Sequence, residues 1–305
     1  MGRIAIFTDD PGWHGARLKR AFAARGFDAT YVSLTQCRFE LSGASVPVVV
    51  PGFEEALPDG VFVRGVPGGS LEQVTFYLGI LHALKRLGIP VYNDAAAIER
   101  TVDKGMTSFL LRQAGIPTPP TWVVNDHETA VGIARQELEN GHQVVSKPLF
   151  GSQGEGLQRH ESASDLDPLS DSHGIYYLQR FIHCGDEPHD WRVFVINGKT
   201  VAAMRRCGVT WLNNVAQGAR CEPARLDDLL LCRLAEDAVR TIGMAYAGVD
   251  VIRDTQGRYT VIEINSVPAW KGLQSVTAPV IADLLADDFL RQCRPCQSRA
   301  EAASQ

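Results

Sequence analysis

The order of apolar runs in the first hundred residues permits few folds. Arg3-Ile4-Ala5-Ile6-Phe7 is a short apolar run that stops at Thr8-Asp9-Asp10-Pro11-Gly12, the composition of a strand ending in a turn. Residues 15–25 carry Leu18 and Phe22 at helical spacing and stop at Gly26. Residues 29–34 and 61–63 read as further strands, residues 71–87 as a long helix ending at Gly88, and residues 90–92 as the next strand. Strands alternating with helices predict an α/β domain on a parallel sheet. At 305 residues the chain is long for a single core, so two or three domains are expected.

Downstream the pattern changes. Residues 93–100 read as a connecting segment. Asp103 is placed to cap a helix running to about residue 114, closed by Gly115-Ile116-Pro117. A strand over 121–124, a helix over 127–139 and a strand over 142–147 follow. Beyond a glycine-rich loop the strands lengthen. Residues 175–181, 191–197 and 199–206 predict an antiparallel sheet, with Asn197-Gly198 as a two-residue hairpin turn. A helix over 226–242, paired strands over 246–253 and 258–265, and a helix over 278–291 complete the pattern. The tail from residue 297 is small and polar, as frayed termini are.

Composition removes several function classes. A formal net charge of -5 argues against a nucleic-acid binder. The longest apolar runs, such as residues 46–50, are far too short to span a bilayer. The N-terminus reads as a strand and an acidic turn rather than a signal peptide, so a cytoplasmic location is expected. The seven cysteines are scattered and odd in number, which fits reduced thiols. Cys293 and Cys296 make one CxxC without a second pair, weak evidence for zinc.

Three constellations carry chemistry. Val145-Ser146-Lys147-Pro148 delivers a lysine from a strand into Gly151-Ser152-Gln153-Gly154-Glu155-Gly156. Glycines let backbone N–H groups approach an anion, and the lysine adds a point charge, so the pair suits a nucleotide phosphate; a flexible hairpin tip is the competing reading. No Gly-Lys-Ser/Thr follows, so this is not a Walker A loop. Second, Asp250 interrupts one apolar strand, and Glu263 and Asn265 another, two residues apart and thus on one face. If the strands are neighbours, the three converge as hard oxygen ligands suited to Mg²⁺. Third, Gln179-Arg180-Phe181-Ile182 lies at a bend where a strand edge could read an adenine. Arg192 and Arg206, on successive strands, could clamp a phosphoryl group or carboxylate, although surface pairing is the simpler reading of either alone. His183, Cys184 and His189 lack a zinc spacing, and no Gly-x-Ser-x-Gly elbow exists.

These motifs, in this order, resemble the ATP-grasp superfamily and within it the RimK-like α-L-glutamate ligases. Arg100-Thr101-Val102-Asp103-Lys104, Gly115-Ile116-Pro117-Thr118-Pro119, Asp190-Trp191-Arg192, Asn213-Asn214, Gly248-Val249-Asp250 and Glu263-Ile264-Asn265-Ser266-Val267-Pro268 extend the likeness from about residue 99 to 272. The resemblance implies an α/β and α+β fold. An N-terminal α/β domain (1–96) would precede a two-lobed ATP-grasp module, with a small lobe (97–174), a C-terminal lobe (175–296) and a tail (297–305). It implies that Lys104 and Lys147 contact ATP phosphates and that the loop of Gly151, Ser152, Gln153, Gly154 and Gly156 closes over them. Gln179, Arg180, Phe181 and Ile182 would form the adenine hinge, with Asp190 at the ribose. Arg192, Arg206 and Asn214 would orient the acyl phosphate, and Asp250, Glu263 and Asn265 would hold Mg²⁺, with Mn²⁺ as an alternative. Arg180 stands where the family commonly has Glu, and Ala219 where a glycine is usual.

The implied activity is ATP-dependent amide formation between a carboxylate and an amine, L-glutamate by likeness, in a homo-oligomer. Asp9-Asp10-Pro11-Gly12-Trp13-His14 and Arg64-Gly65-Val66-Pro67-Gly68-Gly69 resemble ligases of pterin-type one-carbon cofactor synthesis in methylotrophic bacteria. A ligase acting on a protein C-terminus and a non-catalytic nucleotide-binding module are the alternatives. The latter predicts a lost metal ligand or phosphate lysine, and neither is lost.

Overall fold

The computed structural model describes residues 1–43, 46–151, 156–162, 174–208, 210–211 and 218–293. The N-terminal part holds, in chain order, β1 (Gly2–Phe7), α1 (Gly12–Ala23), β2 (Phe27–Val32), the short antiparallel pair β3 (Arg38–Phe39) and β4 (Val48–Val49), β5 (Gly60–Val63), α2 (Leu71–Arg86) and β6 (Val91–Tyr92). The main strands run β2-β1-β5-β6, each neighbour parallel, as the alternation predicts. Ser70 and Gln73 form a reciprocal capping box at the start of α2.

Residues 93–100, expected as a connection, are mostly helical: α3 (Ala95–Val102) starts at Asp94, whose side chain accepts from the Ala96 N–H at 2.9 Å. Ala95, Ala97 and Ile98 supply its buried face, so packing favours the helix. The expected domain boundary at residue 96 falls inside it. α4 (Lys104–Gln113) follows, capped by Asp103 as read from sequence.

The small lobe comprises β7 (Thr121–Val124), α5 (His127–Glu139), β8 (Val144–Lys147), β9 (Gln158–His160) and β10 (Tyr176–Arg180), in sheet order β7-β10-β8-β9. β10 was expected in the C-terminal lobe. It sits instead between β7 and β8, because Tyr176 and Leu178 complete the core that Ala130 and Ala134 of α5 build with Val144. The small lobe therefore runs to Arg180.

The C-terminal lobe contains β11 (His189–Ile196), β12 (Lys199–Cys207), β13 (Arg220–Pro223), α6 (Leu229–Ile242), β14 (Tyr246–Arg253), β15 (Tyr259–Asn265), α7 (Lys271–Gln274) and α8 (Ile281–Cys293). Its antiparallel sheet runs β13-β12-β11-β14-β15. Asn197 and Gly198 turn the β11–β12 hairpin at φ 49° and 69°, the two left-handed positions of a type I′ turn. α6 packs Leu231, Ala235, Val239 and Ile242 onto Val193, Val195, Val249 and Val251. The other sheet face, with Phe194, Met204 and Tyr246, shares one core with Ile4, Phe22 and Phe62 of the N-terminal domain and with α8. Arg25, in the turn after α1, closes that junction by pairing with Asp283 and Asp287 of α8 at 3.0 and 2.6 Å. Inside it, the buried Asn93 amide donates to the carbonyls of Tyr246 (2.7 Å) and Ser266 (2.8 Å) and accepts from the N–H groups of Ala245 (2.9 Å) and Tyr246 (3.1 Å).

Candidate active site

An open cleft separates the small lobe from the C-terminal lobe. It is lined by Lys104 of α4, Lys147 of β8, Gly151, Tyr177 of β10 and Glu263 of β15. Lys104 Nζ donates to the carbonyls of Leu149 (3.3 Å) and Gly151 (3.0 Å), so it secures the start of the glycine-rich loop. Lys147 Nζ donates to Gln179 Oε1 at 2.7 Å. The Gln179 amide in turn donates to Thr121 Oγ1 and the Tyr177 hydroxyl, both at 3.1 Å. Burial pushes Lys147 down to about 8, with Lys104 acting the same way and Glu263 and Asp250 opposing. Burial also lowers Lys104, against Glu263 and Asp103. Two desolvated ammonium groups beside one carboxylate leave the cleft short of negative charge, which suits an anionic ligand.

The metal-side expectation depends on two strands being neighbours. β14 and β15 pair with Asp250 opposite Glu263 and Gly248 opposite Asn265, which puts all three side chains on one sheet face. Their partners differ. Among the described residues Glu263 takes no hydrogen bond and no ion pair within 4 Å. Asn265 Nδ2 reaches the Gly248 carbonyl at 3.4 Å, leaving its Oδ1 to accept. Asp250 is buried and held by two arginines: Arg192 Nε and NH2 bridge its two oxygens, the latter at 2.8 Å, and Arg206 NH2 lies 3.0 Å from Oδ2. Arg206 also grips Asp190 bidentately at 2.6 and 2.8 Å. Burial raises Asp190. Asp250 would rise too, but the arginines hold it below the ordinary carboxylate value. The result is a buried, charge-balanced chain Asp190–Arg206–Asp250–Arg192.

Among the described residues no three His, Cys, Asp or Glu side chains form a metal cage. Two carboxylates and an amide oxygen still fit Mg²⁺, which keeps several waters and substrate oxygens. Glu263 and Asn265 fit directly; Asp250 fits by chemistry and would share its oxygens with the arginines.

At the hinge, the Arg180 side chain turns away from the cleft and pairs bidentately with the buried Glu137 of α5 at 2.7 and 3.1 Å. That accounts for an arginine where the family commonly has Glu: this side chain serves the small-lobe core. Phe181 N–H donates to the Gln143 carbonyl at 2.8 Å, and among the described residues the Ile182 N–H makes no backbone hydrogen bond. Ser152, Gln153, Gly154 and Asn214 lie outside the described residues, as does Cys296. Sequence reading passed over Tyr177, whose ring lies 5.9 Å from Lys147 Nζ and whose hydroxyl meets Ser108 at 2.9 Å. Its position two residues before Gln179 on one strand was the available signal. Among the described residues no helix is long and apolar enough to cross a membrane.

A cleft between two antiparallel lobes, with two lysines on one wall and an acid–amide pair on the other, defines an ATP-dependent ligase of the ATP-grasp type. A sequence profile of the RimK-like ATP-grasp domain matches residues 101–287, and the chain belongs to that family of carbon–nitrogen ligases. It is 35% identical to a tetrahydromethanopterin:α-L-glutamate ligase of Methanococcus maripaludis, over 96% of this chain and 99% of the relative. It is 28% identical to a probable α-L-glutamate ligase of Teredinibacter turnerae, over 97% and 98% of the two chains. Among solved structures it is similar to the ATP-grasp ligase PsnB, complexed with a phosphomimetic precursor variant, Mg and ADP, with a TM-score of 0.73 at 22% identity over 96% of this chain and 98% of that one.

Proposed function

We propose that this ligase joins L-glutamate, through an amide bond, to a carboxylate of a reduced pterin of the tetrahydromethanopterin type. The observation that carries the reading is the end-to-end 35% identity with the Methanococcus enzyme, which includes the N-terminal domain outside the ATP-grasp profile. The acceptor carboxylate attacks the γ-phosphate of ATP, giving an acyl phosphate and ADP. The glutamate amine then attacks the acyl carbon and releases phosphate.

Lys104 and Lys147 neutralise phosphate oxygens from the small-lobe side. The backbone at Phe181 and Ile182 reads the adenine, with Gln179 positioning Lys147 and Asp190 beside the ribose. The loop from Gly151 to Gly156 closes over the phosphates and keeps water from the acyl phosphate. Arg192, Arg206 and Asn214 orient the transferring group. Glu263, Asn265 and Asp250 would hold Mg²⁺, which when bound offsets charge on the phosphate oxygens.

The test is to incubate the purified chain with ATP, MgCl₂, L-glutamate and tetrahydromethanopterin and to follow ADP release and product mass. The expected result is one glutamyl addition per ADP formed. ADP release with a peptide acceptor but none with the pterin would overturn the acceptor.

A further inference from the structure

The N-terminal motifs around Asp10 and Arg64 have no part in the nucleotide cleft. From β1 the chain moves outward to β2 on one side and, later, to β5 and β6 on the other. The carboxyl ends of β1 and β5 thus flank the point where strand order reverses, where open parallel sheets form a ligand crevice. Arg64 stands at that point. Its N–H and that of Gly65 both donate to the Phe7 carbonyl, at 2.9 and 3.0 Å, tying the two strand ends together.

The Arg64 side chain is poorly compensated. Its NH1 donates to the Val267 carbonyl at 3.1 Å, and its guanidinium lies over Trp270, 5.2 Å from the ring centroid. Its Nε is shielded from solvent without a partner, and so is the indole Nε1 of the fully buried Trp270. Among the described residues no carboxylate lies within 4 Å of Arg64. Asp10 favours its charge through space without an ion pair, and Lys271 acts alongside Arg64 on His14. Burial, Arg64 and Lys271 together push His14 down to about 4, and its Nε2 accepts from the Trp270 N–H at 3.0 Å. At neutral pH His14 is therefore an uncharged prop, and Arg64 and Lys271 are the cations. α1 begins beside them with Pro11 at its N-cap and no side-chain cap. A part-buried guanidinium using one of its five donors is costly unless an anion completes it.

The site adjoins the reacting centre. A Cβ on Gly248 would meet Pro268 Cβ at 2.8 Å and Arg192 Cδ at 3.0 Å, so the segment carrying the Val267 carbonyl and the Arg192 side chain both pack over Gly248. We infer that Arg64, at the β1–β5 crevice, and Lys271, at the start of α7, bind a second anionic group of the acceptor while its reacting carboxylate lies at the Arg192 side. Arg64 thereby restricts acceptors to molecules with two anionic groups. L-Glutamate is too short to need a site in another domain, and the larger acceptor has the reach. This rests on the proposed function for the acceptor's identity and on the geometry alone for the subsite.

The experiment compares wild type with Arg64→Gln and, as a variant at an exposed position, Lys271→Gln. With tetrahydromethanopterin as acceptor, Arg64→Gln should raise the acceptor KM by about tenfold or more and leave KM for ATP and L-glutamate within about twofold; Lys271→Gln should raise the acceptor KM by about threefold, and Arg64→Lys should recover part of the loss. An unchanged acceptor KM in both glutamine variants, or a rise confined to L-glutamate, overturns the subsite. If tetrahydromethanopterin gives no turnover with wild type, the acceptor's identity fails by itself. The subsite is then read by calorimetric titration with glutarate in saturating MgCl₂ and a non-hydrolysable ATP analogue. Binding to wild type that weakens about tenfold in Arg64→Gln supports it, and equal binding to both or none to wild type refutes it. Should Arg64→Gln fail to fold, the Lys271→Gln shift decides in either format.

Discussion

With Lys147 as the proposed phosphate ligand, nucleotide affinity and stability should respond to pH in opposite directions. Its value falls from 10.5 to about 8, chiefly by burial. That drop makes the charged form roughly 3 kcal/mol costlier in the folded protein than in the unfolded chain. Because the folded value lies below the unfolded one, the fold gains stability as pH rises from about 8 towards 10.5. The ammonium charge disappears over the same interval. With a value of about 8, the ammonium is about nine-tenths charged at pH 7 and about one-tenth at pH 9. If phosphate binds the charged form, KM for ATP rises about tenfold between those two conditions. Steady-state ADP release at saturating acceptor, glutamate and Mg²⁺ measures it. Lys147→Arg keeps a charge throughout and should give an ATP KM nearly flat with pH, at the cost of its contact with Gln179. A flat profile in wild type, or the same rise in the arginine variant, would refute the reasoning, since the titrating group would then lie elsewhere.

Glu263→Gln should raise the Mg²⁺ concentration needed for half-maximal activity by at least about tenfold and lower kcat by about a hundredfold, measured by titrating MgCl₂; near wild-type turnover would remove Glu263 from the metal site. Arg180→Met should leave the ATP KM unchanged yet destabilise the fold by about 3 kcal/mol, because it strands the 7%-exposed Glu137. Thermal unfolding should show recovery when Glu137→Leu is added. Asn93→Ala removes four buried hydrogen bonds, an expected loss of roughly 3–5 kcal/mol, seen as a fall in Tm on the order of 10 °C.

Local pattern made much of this legible. The β7 and α5 bounds, 121–124 and 127–139, agree with the sequence reading because cap, periodicity and glycine stop all coincide there. The three-way convergence of Asp250, Glu263 and Asn265 followed from strand alternation once the two strands were taken as neighbours, and the register bears out that pairing. What failed was long-range. Nothing local to residues 175–181 says that β10 enters between β7 and β8, because the choice is made by α5 offering Ala130 and Ala134 to Tyr176 and Leu178. The helix at 95–102 was passed over because its apolar face is mostly alanine, whose burial only the surrounding domains create. The arginine pairs on Asp190 and Asp250 were out of reach for the same reason: alternation gives the face of a side chain but not which opposite charge claims it.

The N-terminal domain and the C-terminal lobe share one apolar core, closed by Asn93, whereas the small lobe has its own core of five buried residues. The molecule is thus a fixed anvil and a lighter hammer. The proposed acceptor side and metal edge belong to the anvil, where one shared core ties them together. Lys147 rides on the hammer, so closing on the proposed nucleotide should move one lobe. Amide-exchange rates should divide the same way, with the small-lobe strands β7 to β10 exchanging through their own opening and slowing when nucleotide is bound, and β1 and β14, whose sheets share one core, exchanging only through a common, rarer unfolding.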